Sequence, residues 1–196
     1  MEIRDALKND TGDLAFLINL AGEAIPEYLW KGMVEGNESP LEAGARRAAR
    51  EEGSFSYTNA RACVEDDVLL GMILSYRQPD PYELGDLSKL PDVVRPLLEL
   101  EAQAPGSWYI NAIATFENHR GNGAARNLIE DAETQARSEG CDRLSLIVAS
   151  ENAGAKRLYE KPGYGDVSSK PVIAFPGFAH GGDWVLMIKQ IDNARQ

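Results

Sequence analysis

The chain has 196 residues, of which 43% are hydrophobic and 26% are charged, and its 20 basic and 31 acidic side chains give a net charge of −11. This length and composition are typical of one globular domain and exclude a disordered, collagen-like or coiled-coil chain. No apolar run is long enough to span a membrane, and no basic patch indicates a nucleic-acid or membrane-surface binder. We therefore expect neither nucleic acid nor a membrane as a partner.

The N-terminal sequence and the cysteine content both point to a cytoplasmic protein. Met1–Asp5 lack the apolar stretch of a signal peptide. Cys63 and Cys141 are too few for a disulfide framework, which favours reduced thiols in the core. The acidic balance fits either solubility alone or a preference for cationic ligands such as amines.

The N-terminal half is predicted to contain a strand, two helices and a hairpin. Apolar residues at Leu14, Leu17, Ile18 and Ala21 have helical spacing, and Pro26 is expected to end or kink that helix. From Ser54 the period changes to two. The predicted elements are a strand at Ile3–Ala6, a helix at 14–21, a helix at 41–52, and strands at 54–64 and 68–76 joined by an acidic turn.

A proline-rich insertion separates this half from the next. Residues 77–106 hold five of the ten prolines, with a short helix expected near Val93–Leu100. Long insertions of this kind are usually functional loops or lids. The elements predicted after it are a strand at 107–115, a helix from 125 towards Gly140, a strand at 143–149, a helix at 152–160, and a final strand or two, the last at 184–189. This order predicts a mixed sheet covered by helices.

The most informative stretch lies between a predicted strand and a predicted helix and runs Arg120-Gly-Asn-Gly-Ala-Ala125. Glycines allow the backbone to approach a ligand, and the free amides and dipole of a helix start favour an anion. The stretch therefore predicts a phosphate or pyrophosphate site. A plain glycine-rich turn at the start of a helix is the alternative.

Three kinds of phosphate-binding loop compete for this stretch. A Walker loop needs Gly-Lys-Ser/Thr, which the chain lacks, and a dinucleotide fingerprint needs a third glycine where Arg126 stands. The acyl-CoA loop, Arg/Gln-x-x-Gly-x-Gly/Ala, is matched at each fixed position by Arg120, Gly123 and Ala125.

A second motif follows at Asn152–Tyr164, which reads NAGAKRLYEKPGY. Together and in this order, the two motifs resemble the signatures of the GNAT family of N-acetyltransferases, with convincing similarity over residues 107–165. The resemblance implies an α/β (α+β) fold with a mixed, mostly antiparallel central sheet, splayed between two parallel strands and covered by helices on both faces. It implies a single domain over residues 1–196, with the insertion at about 77–106.

The resemblance also implies a set of site residues. The strand that pairs with the pantetheine arm falls on Ile113, Ala114 and Thr115. The loop that holds the pyrophosphate falls on Arg120, Gly121, Asn122, Gly123, Ala124 and Ala125. Asn152 corresponds to a further cofactor contact, although a helix N-cap explains it equally well. Tyr159 corresponds to the general acid, and a buried core tyrosine is the alternative.

Two features depart from the family pattern. Pro162 stands where relatives usually carry an apolar residue, and it disfavours helix at Lys161, which puts the placement of Tyr159 in question. No general base is evident, because Asn111 cannot accept a proton and Glu117 lies in the loop itself. The acidic residues of the insertion either face the substrate or are solvated loop charges, and they are Asp80, Glu83 and Asp86.

The resemblance implies an enzyme that transfers acetyl from acetyl-CoA to a primary amine of a small molecule or peptide by direct attack. No metal is expected, because His119 and His180 lack neighbours at metal-ligand spacing, although His119 could touch the phosphates. A non-catalytic acyl-CoA-binding or regulatory module and a nucleotide enzyme are the alternatives. Homodimers are common among relatives, but no feature of this sequence demonstrates one. Four aromatic residues could line an acceptor pocket or fill the core: Trp30, Tyr76, Tyr82 and Trp108.

Overall fold

The computed structural model of the chain describes residues 1–178 and 181–191. In these residues it shows six α-helices and seven strands. In chain order they are β1 (Glu2–Asp5), α1 (Thr11–Ala21), α2 (Ile25–Trp30), α3 (Pro40–Ala48), β2 (Ala60–Glu65), β3 (Val68–Arg77), α4 (Arg95–Glu101), β4 (Trp108–Thr115), α5 (Ala124–Ser138), β5 (Arg143–Ala149), α6 (Ala153–Glu160), β6 (Gly165–Pro171) and β7 (Asp183–Gln190).

The strands form one sheet in the order β1-β2-β3-β4-β5-β7-β6. The pairs β1–β2, β2–β3, β5–β7 and β6–β7 are antiparallel. The pair β4–β5 is parallel, with a register that joins Trp108–Ile110 to Leu144–Leu146. The predicted mixed, mostly antiparallel sheet with two parallel strands is therefore confirmed.

The chain consists of two compact units, and the first comprises residues 1–76 and 111–132. Its apolar core includes Leu14, Leu17 and Ile18 from the inner side of α1, each 2% exposed or less. The Trp30 ring lies against Gly44 of α3, where a Cβ atom would come within 2.5 Å of the ring. Trp30 is therefore a core residue.

Several predicted boundaries in the first unit were wrong. Pro26 does not end a helix but lies in the first turn of α2, where its missing amide costs no hydrogen bond. The helix predicted over 41–52 ends at Ala48, and residues 54–59 form turns rather than the start of a strand. The acidic hairpin turn is confirmed, because Asp66 and Asp67 join β2 to β3 with φ values of 50° and 63°.

The second unit comprises residues 77–110 and 133–196, of which the described part ends at 191 and omits 179–180. Its innermost side chains include Leu100 of α4, Leu144 and Leu146 of β5, and Leu186 and Met187 of β7. β6 is the strand whose existence and bounds the sequence analysis did not decide. Its side chains are mostly exposed, so it lacks the apolar alternation that reveals a strand.

The insertion is tied to the rest of the second unit by polar contacts. Arg143 of β5 donates to the Pro105 carbonyl oxygen at 2.7 Å, and Lys170 of β6 pairs with Glu99 of α4 at 2.7 Å. Gln78 donates its backbone amide to the Ser107 carbonyl oxygen at 2.8 Å, which closes the base of the insertion. No helix in the described part of the chain is both long and apolar enough to cross a bilayer.

Candidate active site

The glycine loop of the first unit has the backbone shape that its sequence predicts. After β4, a short 3-10 turn at Glu117–His119 leads to Arg120, and α5 begins at Ala124. Gly121 and Gly123 have φ values of 83° and 89°, in the left-handed region. A Cβ atom at either position would meet nothing within 4 Å, so backbone conformation rather than lack of space favours glycine.

The start of α5 offers donors to an anion. The first hydrogen bond onto the helix joins the Asn127 amide to the Gly123 carbonyl oxygen at 3.0 Å. The amides just before Asn127 have no acceptor within the helix, and the helix dipole is positive at this end. Arg120 is exposed immediately before the two left-handed glycines. The residues Arg120–Ala125 therefore fit a pyrophosphate group, with the helix start as the principal donor.

The end of β4 is held close to β3 by a glycine that sequence reasoning missed. A Cβ atom on Gly71 would lie 2.6 Å from the Ala114 carbonyl oxygen and 2.7 Å from Cγ2 of Thr115. The signal was a single glycine inside a strand pattern, which often marks a close backbone approach. Ile113, Ala114 and Thr115 are half-buried and lie beyond the described register pairs of β4 with β5. Their pairing with a pantetheine arm stays a prediction.

Asn152 and Tyr159 lie on one helix of the second unit. The Oδ1 atom of Asn152 accepts a hydrogen bond from the Ala155 amide at 3.1 Å, so Asn152 caps α6, and a cofactor contact stays a prediction. Tyr159 lies inside α6 and is 8% exposed. Lys161 keeps helical angles, φ −58° and ψ −47°, so the expected effect of Pro162 on the residue before it was wrong.

The Tyr159 ring meets a second tyrosine edge-on. Tyr164 lies 6.1 Å away between ring centroids, with an interplanar angle of 61°. Burial raises the pKa of Tyr164 far above its ordinary value, and the negative charge of Glu133 adds to this effect. Among the described residues, the Tyr164 hydroxyl has no hydrogen-bond partner. Tyr164 therefore stays protonated and acts in packing.

A buried carboxylate in the second unit was missed by sequence reasoning. Glu101, the last residue of α4, accepts hydrogen bonds at Oε2 from the Tyr82 hydroxyl (3.0 Å) and from Nε2 of Gln78 (3.4 Å). Its Oε1 atom accepts from the Tyr109 hydroxyl of β4 at 3.2 Å. Burial raises the pKa of Glu101, and the hydrogen bonds from Tyr82, Gln78 and Tyr109 oppose that rise only in part. A Glu in an amphipathic helix is normally solvated, so the local pattern around Glu101 carried little signal of its burial.

The acidic residues named from the sequence lie elsewhere in the insertion and are exposed. Asp86 accepts from the Ser88 hydroxyl at 2.6 Å and lies 3.5 Å from the Lys89 ammonium. The hydrogen bonds from Ser88 lower the pKa of Asp86, so it is a weak base. Asp80 and Glu83 are also exposed. These three carboxylates therefore have the surroundings of solvated loop charges.

The other candidate residues that the structure describes are buried or hydrogen-bonded within the protein. Tyr76 accepts a hydrogen bond from Nδ2 of Asn111 at 3.1 Å, and Trp108 is 7% exposed. Both cysteines are buried free thiols, and burial raises their pKa values. Among the described residues, no three His, Cys, Asp or Glu side chains form a metal-ligand cluster. His180 lies outside the described residues.

The first unit contains a cavity of about 440 Å³ whose lining carries mainly positive charge. Its lining includes Met33, Arg46, Arg47 and Arg50. Arg46 is paired with Glu38 at 2.7 Å, while the Arg47 guanidinium lies over the Phe55 ring, 5.1 Å from its centroid. The three arginines outnumber the one carboxylate of the lining, Glu35, and this excess of positive charge disfavours a cationic amine in the cavity.

A mixed sheet with one parallel pair, followed by a glycine loop that leads into the start of a helix, is the arrangement that the family resemblance implies. Comparison with known proteins gives the family. The model of the acetyltransferase (GNAT) family matches residues 23–164, and the chain belongs to this family.

Curated relatives of the chain are acetyltransferases with modest identity to it. N-alpha-acetyltransferase 40 of Saccharomyces cerevisiae is 26% identical over 162 residues, which cover 78% of this chain and 52% of the relative. This chain spans from about a third to about half the length of the curated relatives it matches.

Two solved structures share the fold over almost the whole of both chains. The structure of yncA from Salmonella typhimurium with its cofactor acetyl-CoA has a TM-score of 0.60 at 17% identity, and covers 100% of this chain and 96% of its own. An agmatine N-acetyltransferase in its apo form has a TM-score of 0.69 at 13% identity, with coverages of 97% and 99%. At these identities, the likeness shows the fold alone.

Proposed function

We propose that the protein is an N-acetyltransferase that moves an acetyl group from acetyl-CoA to a primary amine. The observation that carries the proposal is the loop Arg120–Ala125. Gly121 and Gly123 of this loop have positive φ values, and the first backbone amides of α5, which have no acceptor within the helix, follow directly. The chain also belongs to the acetyltransferase family. A helix start of this kind suits the pyrophosphate of acetyl-CoA. Ile113–Thr115 would pair with the pantetheine arm, and Asn152 would add a contact while it caps α6.

The proposed reaction is direct attack by a neutral amine on the thioester carbonyl carbon. The C–N bond forms, the C–S bond breaks, and the coenzyme leaves as a thiolate that takes up a proton. Tyr159 is the proposed proton donor, because a phenol stays protonated at neutral pH and can donate to a thiolate. A backbone amide of β4 would stabilise the oxyanion. No step needs a metal ion.

The acceptor class is proposed from the relatives. The curated relative from yeast is an N-alpha-acetyltransferase, which supports the α-amine of a peptide or protein as the first class to test. A structural neighbour is an agmatine N-acetyltransferase, which supports a small cationic amine as the second class. The net charge of −11 favours cationic acceptors of either class.

The experiment that tests the proposal follows thiol release from acetyl-CoA with a panel of peptides and small amines, and records product masses. A mass gain of one acetyl group on an amine, with equal thiol release, is the expected result. Saturable acetyl-CoA binding without transfer to any amine of the panel would favour the alternative of a non-catalytic acyl-CoA-binding module. Absence of acetyl-CoA binding would contradict both functions.

A cytoplasmic location is proposed on the two free cysteines, which fit a reducing compartment. A homodimer, a single domain over residues 1–196 and a lid role for the insertion stay predictions.

A further inference from the structure

We propose that the cavity of the first unit is a binding site for the carboxylate group of a small organic molecule, held by Arg47 of α3 and by Arg50 just after that helix. None of the residues that line the cavity belongs to Arg120–Ala125 or to Ile113–Thr115. The site is therefore made of residues other than those of the proposed acetyl-CoA site, and the inference does not depend on the proposed function.

The cavity has defined walls and room for a small molecule. It is lined by the segment 32–35 on one side and by α3 and Arg50 on the other. Arg46 joins the two walls, because its Nη2 atom donates to the Met33 carbonyl oxygen at 2.8 Å and its Nη1 atom pairs with Glu35 at 3.0 Å. The volume of about 440 Å³ falls within the range of small-molecule pockets, which is about 300–1,000 Å³.

Two of the three arginines in the lining have no acidic partner. Arg46 forms ion pairs with Glu35 at 3.0 Å and with Glu38 at 2.7 Å. Among the residues that the structure describes, no carboxylate forms an ion pair with Arg47 or with Arg50. In a chain with 31 acidic and only 20 basic side chains, carboxylates are plentiful, so two neighbouring cations without a carboxylate indicate a place for an external anion.

The two unpaired cations also repel each other. Burial lowers the pKa of Arg47, and the positive charge of Arg50 lowers it further. Glu51, the next residue along the chain, pairs with Lys8 at 3.9 Å instead. Arginine stays charged in proteins, so this repulsion is relieved by a bound negative charge and not by loss of a proton.

The contacts that hold the two arginines leave N–H donors available. The Arg47 guanidinium lies over the Phe55 ring, 5.1 Å from its centroid, and its Nη1 atom lies 3.7 Å from Sδ of Met33, which is a weak acceptor. Arg50 donates from Nε to the Arg47 carbonyl oxygen at 3.3 Å. Neither arrangement supplies a described oxygen acceptor to Nη2 of Arg47 or to the Nη atoms of Arg50. These groups can therefore donate to the oxygens of a ligand.

The balance of charge and the rest of the lining favour an organic carboxylate over a phosphate. The three arginines and the two carboxylates Glu35 and Glu38 leave one positive charge in excess. A carboxylate carries one negative charge at neutral pH, whereas a phosphate monoester carries about 1.5 to 2. The guanidinium fork also matches the two oxygens of a carboxylate. The uncharged part of the lining suits a hydrocarbon body, and it consists of Gly32, Met33, Val34 and Ala43.

The experiment titrates three probes into the full chain and follows binding by NMR chemical shifts. The probes are hexanoate, hexan-1-ol, which has the same chain length without charge, and inorganic phosphate. Saturating coenzyme A is present throughout, so that the proposed pyrophosphate site at Arg120–Ala125 is already filled. We expect saturable binding of hexanoate, no saturable binding of hexan-1-ol, and weaker binding of phosphate than of hexanoate.

Substitutions then test the two arginines. Arg47→Gln and Arg50→Gln should each raise the dissociation constant of hexanoate by about tenfold, because each removes charge-assisted hydrogen bonds. Arg47→Lys keeps the charge but loses the planar fork, so its dissociation constant should lie between those of the wild type and Arg47→Gln. Lys89→Gln is the control, since it removes one exposed cation from the second unit, and it should match the wild type.

Arg50 is exposed, so Arg50→Gln keeps the test valid if Arg47→Gln does not fold. Hexanoate that fails to saturate the wild-type protein, or that binds both glutamine variants as tightly as the wild type, would overturn the inference. Equal losses of affinity in Lys89→Gln and in the arginine variants would do the same, because they would reflect net charge alone. Phosphate that binds more tightly than hexanoate would contradict the assignment to a carboxylate.

Discussion

At the scale of single residues, Tyr159 and Tyr164 show why two phenols in ring contact can have different roles. Tyr159 lies on α6 at 8% exposure, whereas Tyr164 lies at 3% exposure with a hydroxyl that has no partner in the described structure. Burial raises the pKa of Tyr164, which makes its hydroxyl a weaker acid than an ordinary phenol. The pair therefore offers a catalytic candidate and its own control.

Substitution of Tyr159 by Phe should lower kcat by about 100-fold while the dissociation constant of acetyl-CoA stays unchanged, because only proton donation to the thiolate is lost. The measurement is steady-state thiol release, combined with calorimetric titration of acetyl-CoA. Tyr164→Phe removes a hydroxyl that donates to no described residue and should leave kcat within about twofold. Equal kcat values for the two variants would contradict the assignment of Tyr159.

At the scale of elements, the loop before α5 and the strand before the loop together form the proposed acetyl-CoA site. Gly71 of β3 allows the backbone at Ala114 and Thr115 to come close, and Gly121 and Gly123 turn the chain into the start of the helix. Both features depend on the absence of a Cβ atom, one for space and the other for a positive φ. The proposed acetyl-CoA site is therefore mainly a backbone site.

Replacement of Gly123 by Ala should weaken acetyl-CoA binding by about tenfold or more, because the new Cβ atom disfavours φ near 89° and moves the first amides of α5. Gly140→Ala is the matched control, since Gly140 ends the same helix with a φ of 70° and also has open space around its Cβ position. Both variants should lose about 1 kcal/mol of folding stability. Calorimetric titration should then separate them, and equal acetyl-CoA affinities would argue against the loop assignment.

At the scale of the whole molecule, the excess of acidic over basic side chains affects the stability of the fold. The chain carries 31 acidic and 20 basic side chains, and many of its ion pairs are exposed, such as Lys8–Glu51 and Arg126–Glu130. Exposed pairs contribute about 1 kcal/mol or less each, so they do not offset the repulsion among the excess carboxylates. Net repulsion of this kind destabilises a compact state.

The melting temperature at neutral pH should therefore rise by about 2–4 °C between about 10 mM and about 150 mM NaCl, as salt screens the repulsion. The same titration near the sequence isoelectric point, about pH 4.7, is the control, because the net charge is close to zero there. Scanning calorimetry measures both. A melting temperature at neutral pH that falls with salt would mean that attractive ion pairs outweigh the net charge.

Patterns that are local in sequence predicted much of this protein. The helical spacing of Leu14, Leu17 and Ile18, the period-two strands around the acidic turn, and the glycine loop were all visible in the sequence and are present in the structure. The bounds of helices and strands were less predictable. A proline such as Pro26 can end one helix or begin the next, and the sequence Ser54–Asn59 is compatible with either a strand or turns. Strand β6 was not predicted with defined bounds, because an exposed edge strand has little apolar alternation.

The sequence by itself determined the fold class, the family resemblance and the loop Arg120–Ala125, because each depends on residues that are neighbours along the chain. Only the tertiary structure decided which carboxylate of the insertion is buried. Glu101 lies on an amphipathic helix and resembles a solvated charge, until Tyr82 and Tyr109, 19 and 8 residues away, bring their hydroxyls to it. Burial and hydrogen-bond partners arise from packing of segments distant in sequence, and these two quantities set the pKa and hence the chemistry of an acidic side chain.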